Sequence, residues 1–127
     1  LSLHDALPIC DYSIESGYQK MNALLALPVP PSLVFCANDD MAIGAMNACY
    51  AARVAIPDAI SLIGFDDIVF SRYTNPALTT VHRPIADISE LGTKKLIELM
   101  REPHTRPEQS LVKTTLMIRQ TVAKLEA

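Results

Sequence analysis

No stripe of clustered Lys and Arg runs through this sequence. Its 127 residues carry 14 acidic against 11 basic side chains, a net charge of −3. A surface that grips phosphates needs grouped basic residues, so this stretch is not expected to bind nucleic acid by itself. No apolar run approaches the roughly 20 residues of a membrane-spanning helix. Glycine is scarce, at 4, against 9 prolines, and neither a low-complexity nor a collagen-like chain has that composition. The three cysteines, Cys10, Cys36 and Cys49, are odd in number and widely spaced. They make no disulfide framework and suggest free thiols in a reducing compartment. There is no Cys-x-x-Cys and no His/Cys cluster, and His4, His82 and His104 are scattered, so no structural metal is expected. No internal repeat is found.

What remains is ordinary globular material, half apolar and a fifth charged. Residues 1–9 (LSLHDALPI) lack the basic start and long apolar centre of a secretory signal. The string resembles the translated read-through of a sequencing adapter, and it is set aside as an artefact or leader. Ser13 opens a helical pattern over 13–27, with Tyr18, Met21, Leu24 and Leu25 at spacings of three and four. Pro28, Pro30 and Pro31 end it. The run 32–37 (SLVFCA) reads as a short strand buried on both faces, as in a parallel sheet. A helix follows to about Arg53, with Asp39 as its expected N-cap and Asp40 at its positive end. Ala42, Ala45, Met46, Cys49 and Ala52 form one apolar stripe, and Ile43, Asn47, Tyr50 and Val54 a second. A helix apolar on two sides needs two partners; one is its own sheet, and the second stripe suits another chain.

The run 61–65 (SLIGF) is a second strand ending in Asp66 and Asp67. Strand, helix and strand form a βαβ crossover and therefore a parallel sheet. In open α/β sheets ligands bind at the carboxyl ends of the strands, which here carry Asn38, Asp39, Asp40, Asp66 and Asp67. Residues 67–75 read as irregular and 76–81 as extended. Pro84 suits the first turn of a helix to about Arg101, with Ile85, Ile88, Leu91, Leu96 and Leu99 as its stripe. A polar loop over 102–107 leads to a strand over 111–119, where Leu116 and Ile118 alternate against Met117.

Four segments in register resemble the LacI/GalR family of transcriptional regulators: DYSIESGYQKM, PSLVFCANDDMAIGAM, AIPDAISLIGFDD and YTNPALTTVHRP, followed by the closing LMIRQT. The wording is nearest to the family's purine and cytidine repressors. The resemblance covers about 11–122. It implies an α/β, periplasmic-binding-protein-like fold, of which 10–127 would be part of the effector-binding domain. That part would be the carboxyl-terminal lobe, with the helix over 84–101 belonging to the other lobe. A helix-turn-helix headpiece, a hinge and most of the amino-terminal lobe are not in this chain. A piece with one helix from an absent lobe is expected to be poorly stable alone.

The resemblance also implies site residues, each weighed against a plainer role. Asp66 would bind effector hydroxyls, for which a carboxylate with two acceptor oxygens is suited; otherwise it caps a turn. Asn38 can donate and accept at once, and Asp40 either joins it or only complements the helix start. Tyr12 matches an aromatic that stacks on the effector, or it is a core aromatic. Ile43, Asn47, Tyr50, Val69 and Tyr73 match the family's dimer face, or they pack within the lobe. The family usually has Gly where this chain has Arg53, at a left-handed helix end.

Three functions are set against one another. The first is the ligand-sensing, dimerising part of a cytoplasmic transcriptional repressor or activator, taking a sugar, nucleoside or purine and meeting DNA only through an absent headpiece. The second is a periplasmic sugar-binding protein of an uptake system. The third is an enzyme holding Mg²⁺ between Asp39/Asp40 and Asp66/Asp67. No nucleophile–lysine arrangement or phosphate loop accompanies those carboxylates, so a non-enzymatic protein without cofactor or catalytic residues is expected.

Overall fold

A computed structural model describes residues 10–102 and 108–124. The expectations for 1–9 and for most of the loop 102–107 lie outside them. The described chain forms two compact units: one from the described parts of Leu1–His82 and Leu116–Ala127, the other from that of Arg83–Thr115.

The first unit begins with α1 (Ile14–Leu25), capped by Ser13, whose hydroxyl accepts from the Ser16 N–H at 3.0 Å. A short strand β1 (Leu33–Phe35), helix α2 (Asp39–Ala51) and strand β2 (Ser61–Asp66) follow. Leu33 aligns with Ser61 and Phe35 with Ile63 in a parallel pair, so the expected crossover is present. A 3-10 helix (Val69–Arg72) occupies part of the segment read as irregular, and β3 (Thr79–His82) pairs parallel with β2. With β4 (Thr115–Met117) the sheet order is β1-β2-β3-β4.

The core lies between α2 and the sheet and under α1. Ala42, Ala48, Cys49, Ile60, Leu62 and Leu78 are buried in it. Small residues let α1 and α2 approach closely: a Cβ on Gly44 would lie 1.9 Å from the Ile14 carbonyl oxygen. The second partner of α2 is therefore α1 of the same chain. Asn47 and Tyr50 remain exposed and Ile43 half-buried, while Val54 leaves that stripe to pack on the core. Burial makes the Cys36 and Cys49 thiols hard to ionise, pushing them up to about 12 and about 11, so both serve as small apolar residues.

Four expectations are corrected. The strand β1 is not buried on both faces. It is the sheet's edge, and Leu33 and Phe35 are 51% and 58% exposed while Val34 turns inward. The last strand is only three residues long, and Leu116 and Ile118 are the outward positions while Met117 is half-buried. The N-cap of α2 is Asn38, in extended backbone with Oδ1 accepting from the Met41 N–H at 2.8 Å; Asp39 is the first helical residue. Pro84 is the N-cap of α3, one position before its first turn.

Arg53 does stand in left-handed backbone, at φ 56°. The Arg53 N–H donates to the Tyr50 carbonyl and the Val54 N–H to the Cys49 carbonyl, the paired bonds of a helix end that ordinarily selects glycine.

The second unit is dominated by α3 (Ile85–Arg101). Its apolar residues keep the expected helical spacing, yet none of its residues is buried. Ile85 and Leu96 are more than half exposed. Local polar contacts remain: Lys94 pairs with Glu90 one turn away at 2.6 Å, and the Lys95 ammonium reaches the Glu108 carbonyl.

Candidate functional site

The carboxyl ends of β1, β2 and β3 carry the polar residues of the first unit. Asn38 uses both ends of its amide within the protein: Oδ1 caps α2, and Nδ2 donates to the Tyr12 carbonyl at 2.9 Å. Tyr12 is thereby brought to the same sheet edge. It is 64% exposed at φ 66°, so it is not a core aromatic. Asp40 is exposed on the first turn of α2. Asp66 ends β2, half-buried, in register with His82 at the end of β3. The structure thus ties Asn38 to Tyr12 directly and sets Asp66 at the end of the neighbouring strand.

The aspartate next to each of these candidates is committed to the fold. Asp39 is fully buried. Its Oδ1 accepts from the Thr80 hydroxyl at 2.5 Å and its Oδ2 from the Ile68 N–H at 2.9 Å. Burial raises its pKa above the ordinary carboxyl value, and these two bonds oppose that only in part. Gly64 makes room for it, because a Cβ there would stand 2.1 Å from Asp39 Oδ1.

Asp67 has the opposite balance. Burial pushes its pKa up, but the bonds and charges of Arg119, His82 and Arg72 outweigh this and hold the carboxyl below its usual range. Its side chain is 1% exposed and pairs with the Arg119 guanidinium. His82 Nδ1 lies 3.0 Å from Oδ2. A carboxylate can only accept, so Nδ1 carries the proton in this bond. Ser71 donates to Asp67 at 3.3 Å and Arg72 reaches it at 3.5 Å.

Arg119, Thr80 and His82 were not singled out from the sequence, and Asp67 was named only as a strand-end carboxylate. The one available signal was the doubled aspartate, which does not say which carboxylate turns inward. The Mg²⁺ arrangement has no geometric support: among the described residues no three metal-ligating side chains converge, and Asp39 points at Thr80. The residues matched to a dimer face all reach the surface, Tyr50, Val69 and Tyr73 at 87%, 69% and 79% exposure and Ile43 only in part. Phe70, between Val69 and Tyr73, is 70% exposed as well. A separate apolar groove of about 750 Å³ runs along β1, lined among others by Cys10, Met21, Leu24, Val34 and Phe35; none of the effector candidates lines it.

Comparison with known proteins identifies the family of the fold. Residues 4–122 match the periplasmic binding protein-like domain family. A probable HTH-type transcriptional repressor ExuR of Bacillus subtilis is 56% identical over 114 residues, which are 90% of this chain and 34% of that protein. An HTH-type transcriptional repressor PurR of Mannheimia succiniciproducens is 39% identical over 87% of this chain and 33% of its own length. A LacI family transcriptional regulator from Enterococcus faecium, crystallised with bound ribose, superposes with a TM-score of 0.81 at 29% identity, over 92% of this chain and 43% of that one. The chain spans about a third of the length of the curated relatives it matches.

Proposed function

The chain belongs to the periplasmic binding protein-like domain family, in the form carried by LacI-family transcriptional regulators, and from that premise we propose that it is the ligand-sensing and dimerising part of a DNA-binding regulator. A small sugar, nucleoside or purine binds at the carboxyl edge of the sheet. Its binding shifts the populations of DNA-competent and incompetent states. DNA is met through a headpiece outside this chain, and the protein works in the cytoplasm as a homodimer without catalysing a reaction. The observation that carries the reading is the position of Asp66: a half-buried residue at the carboxyl end of β2, the edge where parallel sheets bind ligands, while the neighbouring strand β1 leads into Asn38, which is tied to Tyr12. Its two acceptor oxygens suit vicinal hydroxyls. The outward Val69, Phe70, Tyr73 and Tyr50 supply the apolar area of a subunit contact. Periplasmic uptake is the weaker alternative, since the relatives named above are transcriptional repressors.

The test is thermal unfolding of the full-length protein with a panel of purines, nucleosides and simple sugars. A ligand that binds the native state raises the midpoint, by about 2.7 kcal/mol of stabilisation at a hundredfold excess over Kd. The rise is expected to vanish in Asp66→Ala. A rise that survives that substitution removes Asp66 from the site. Tyr73→Glu is expected to convert dimer to monomer in light scattering.

A further inference from the structure

Asp66 and Asp67 both have positive φ, 120° and 57°. Successive side-chain-bearing residues on that side of the Ramachandran map persist only where surrounding contacts over-determine them. Here the contacts converge on Asp67. The guanidinium of Arg119 pairs with it and also donates to Ser71 Oγ at 2.9 Å and the Leu78 carbonyl at 2.7 Å. The Arg119 backbone N–H donates to Thr79 Oγ1 at 2.9 Å. One arginine therefore fastens the end of β2, the 3-10 helix and the start of β3. The His82 ring holds the other carboxylate oxygen from the end of β3, and the next N–H, of Ile68, is taken by Asp39.

We propose that the Asp67–Arg119 pair is the positioning element of the effector site: it holds the two-residue left-handed corner from which Asp66 is presented. At 1% and 13% side-chain exposure, Asp67 offers no surface to a ligand and Arg119 little. They act through backbone geometry, as positioning residues, and set how far the Asp66 carboxylate is preorganised for its hydroxyl partners. The inference rests on the reading of Asp66 as an effector-binding carboxylate.

The test compares the ¹⁵N-labelled full-length protein with Arg119→Met, Arg119→Lys and Met21→Ala, each titrated with ribose, glucose and hypoxanthine. Met21, fully buried on α1, supplies a destabilised control remote from the corner. Arg119→Met is expected to move the backbone amide signals of Asp66 and Asp67 and to weaken ligand binding about tenfold. Arg119→Lys, which keeps the charge but loses the planar fork, is expected to fall between. Met21→Ala is expected to lower the thermal midpoint and leave both the signals and the affinity alone. Unmoved Asp66 signals in Arg119→Met overturn the proposal, as does an equal affinity loss in Met21→Ala. If none of the three ligands binds the wild type, the amide signals still decide the positioning role. The effector reading of Asp66 is then judged separately, by the broader panel above.

Discussion

Consecutive aspartates stand at the ends of two neighbouring strands, Asp39–Asp40 after β1 and Asp66–Asp67 after β2, and the two pairs are used in opposite order. In the first, the leading residue is buried and the trailing one exposed; in the second, the trailing residue is buried and the leading one reaches the surface. The backbone decides. Helix α2 starts immediately after Asn38, and its first residue, Asp39, reaches back to Thr80. Strand β2 instead turns through a left-handed corner that carries Asp67 under Arg119. Each dipeptide divides into one carboxylate buried in the fold and one that reaches the surface. The two buried members differ in kind as well. Asp39 is held by neutral donors alone, and Asp67 has two arginines among its donors.

That difference sets the largest expected effect. Asp67→Ala leaves the largely buried Arg119 guanidinium without its counter-charge and is expected to cost about 3 kcal/mol in urea denaturation of the full-length protein. Asp39→Ala removes an acceptor from a buried hydroxyl and a backbone N–H, with an expected cost of about 2 kcal/mol. If the two costs come out reversed, the contrast between charged and neutral anchoring is wrong. Gly64→Ala sharpens the Asp39 half. Its new Cβ meets Asp39 Oδ1, an overpacking expected to cost about 2 kcal/mol. In an Asp39→Ala background most of that cost is expected to disappear, giving a coupling of at least about 1 kcal/mol. Additive costs would mean that the two groups do not share the space.

Acid titration separates the pair by sign. The folded protein holds Asp67 below the ordinary value of 3.8. Its contribution is therefore present above that value and lost as pH falls through it toward the folded pKa. Asp39 is raised above 3.8, so the folded state takes up its proton first, and acidification from neutral pH gains stability at that residue. Urea midpoints measured from pH 7 to pH 3 should thus show a flatter acid limb in Asp67→Asn than in wild type, and a steeper one in Asp39→Asn. The same slope change in both variants would contradict the assignment.

The strand–helix–strand unit was legible because its signals are local: an apolar run, an acidic helix start, a stripe at helical spacing, a second apolar run. The division within each aspartate pair was not. Adjacent identical residues carry no phase, and the choice depends on Thr80, His82 and Arg119, which lie 15 or more positions from the aspartates they hold. The N-cap was misplaced by one residue for a related reason: Asn38 and Asp39 are both good capping types, and only Asp39's distant partner decides between them. Strand β1 was misread because a short apolar run looks the same at the edge of a sheet as at its centre. Asn38, Asp40 and Asp66 were marked by their place at strand ends and given roles by the family resemblance; Tyr12 came from the resemblance alone. The structure adds the hydrogen bond from Asn38 to the Tyr12 carbonyl.

The smallest expected effect compares two left-handed residues of nearly equal φ, Arg53 at 56° and Asp67 at 57°. Glycine relieves the same backbone penalty at both, about 1 kcal/mol. At Arg53 the side chain is exposed, and the helix-end bonds are made by backbone atoms. Arg53→Gly should therefore stabilise by about 0.5–1 kcal/mol, the gain trimmed by the greater freedom of glycine in the unfolded chain. At Asp67 the same relief is outweighed by the loss of the Arg119 pair, so Asp67→Gly should destabilise. Paired urea midpoints read the two signs directly. A stabilised Asp67→Gly would mean that strain at the corner exceeds what its ion pair returns, and the corner would then be a site built against stability rather than one merely held in place.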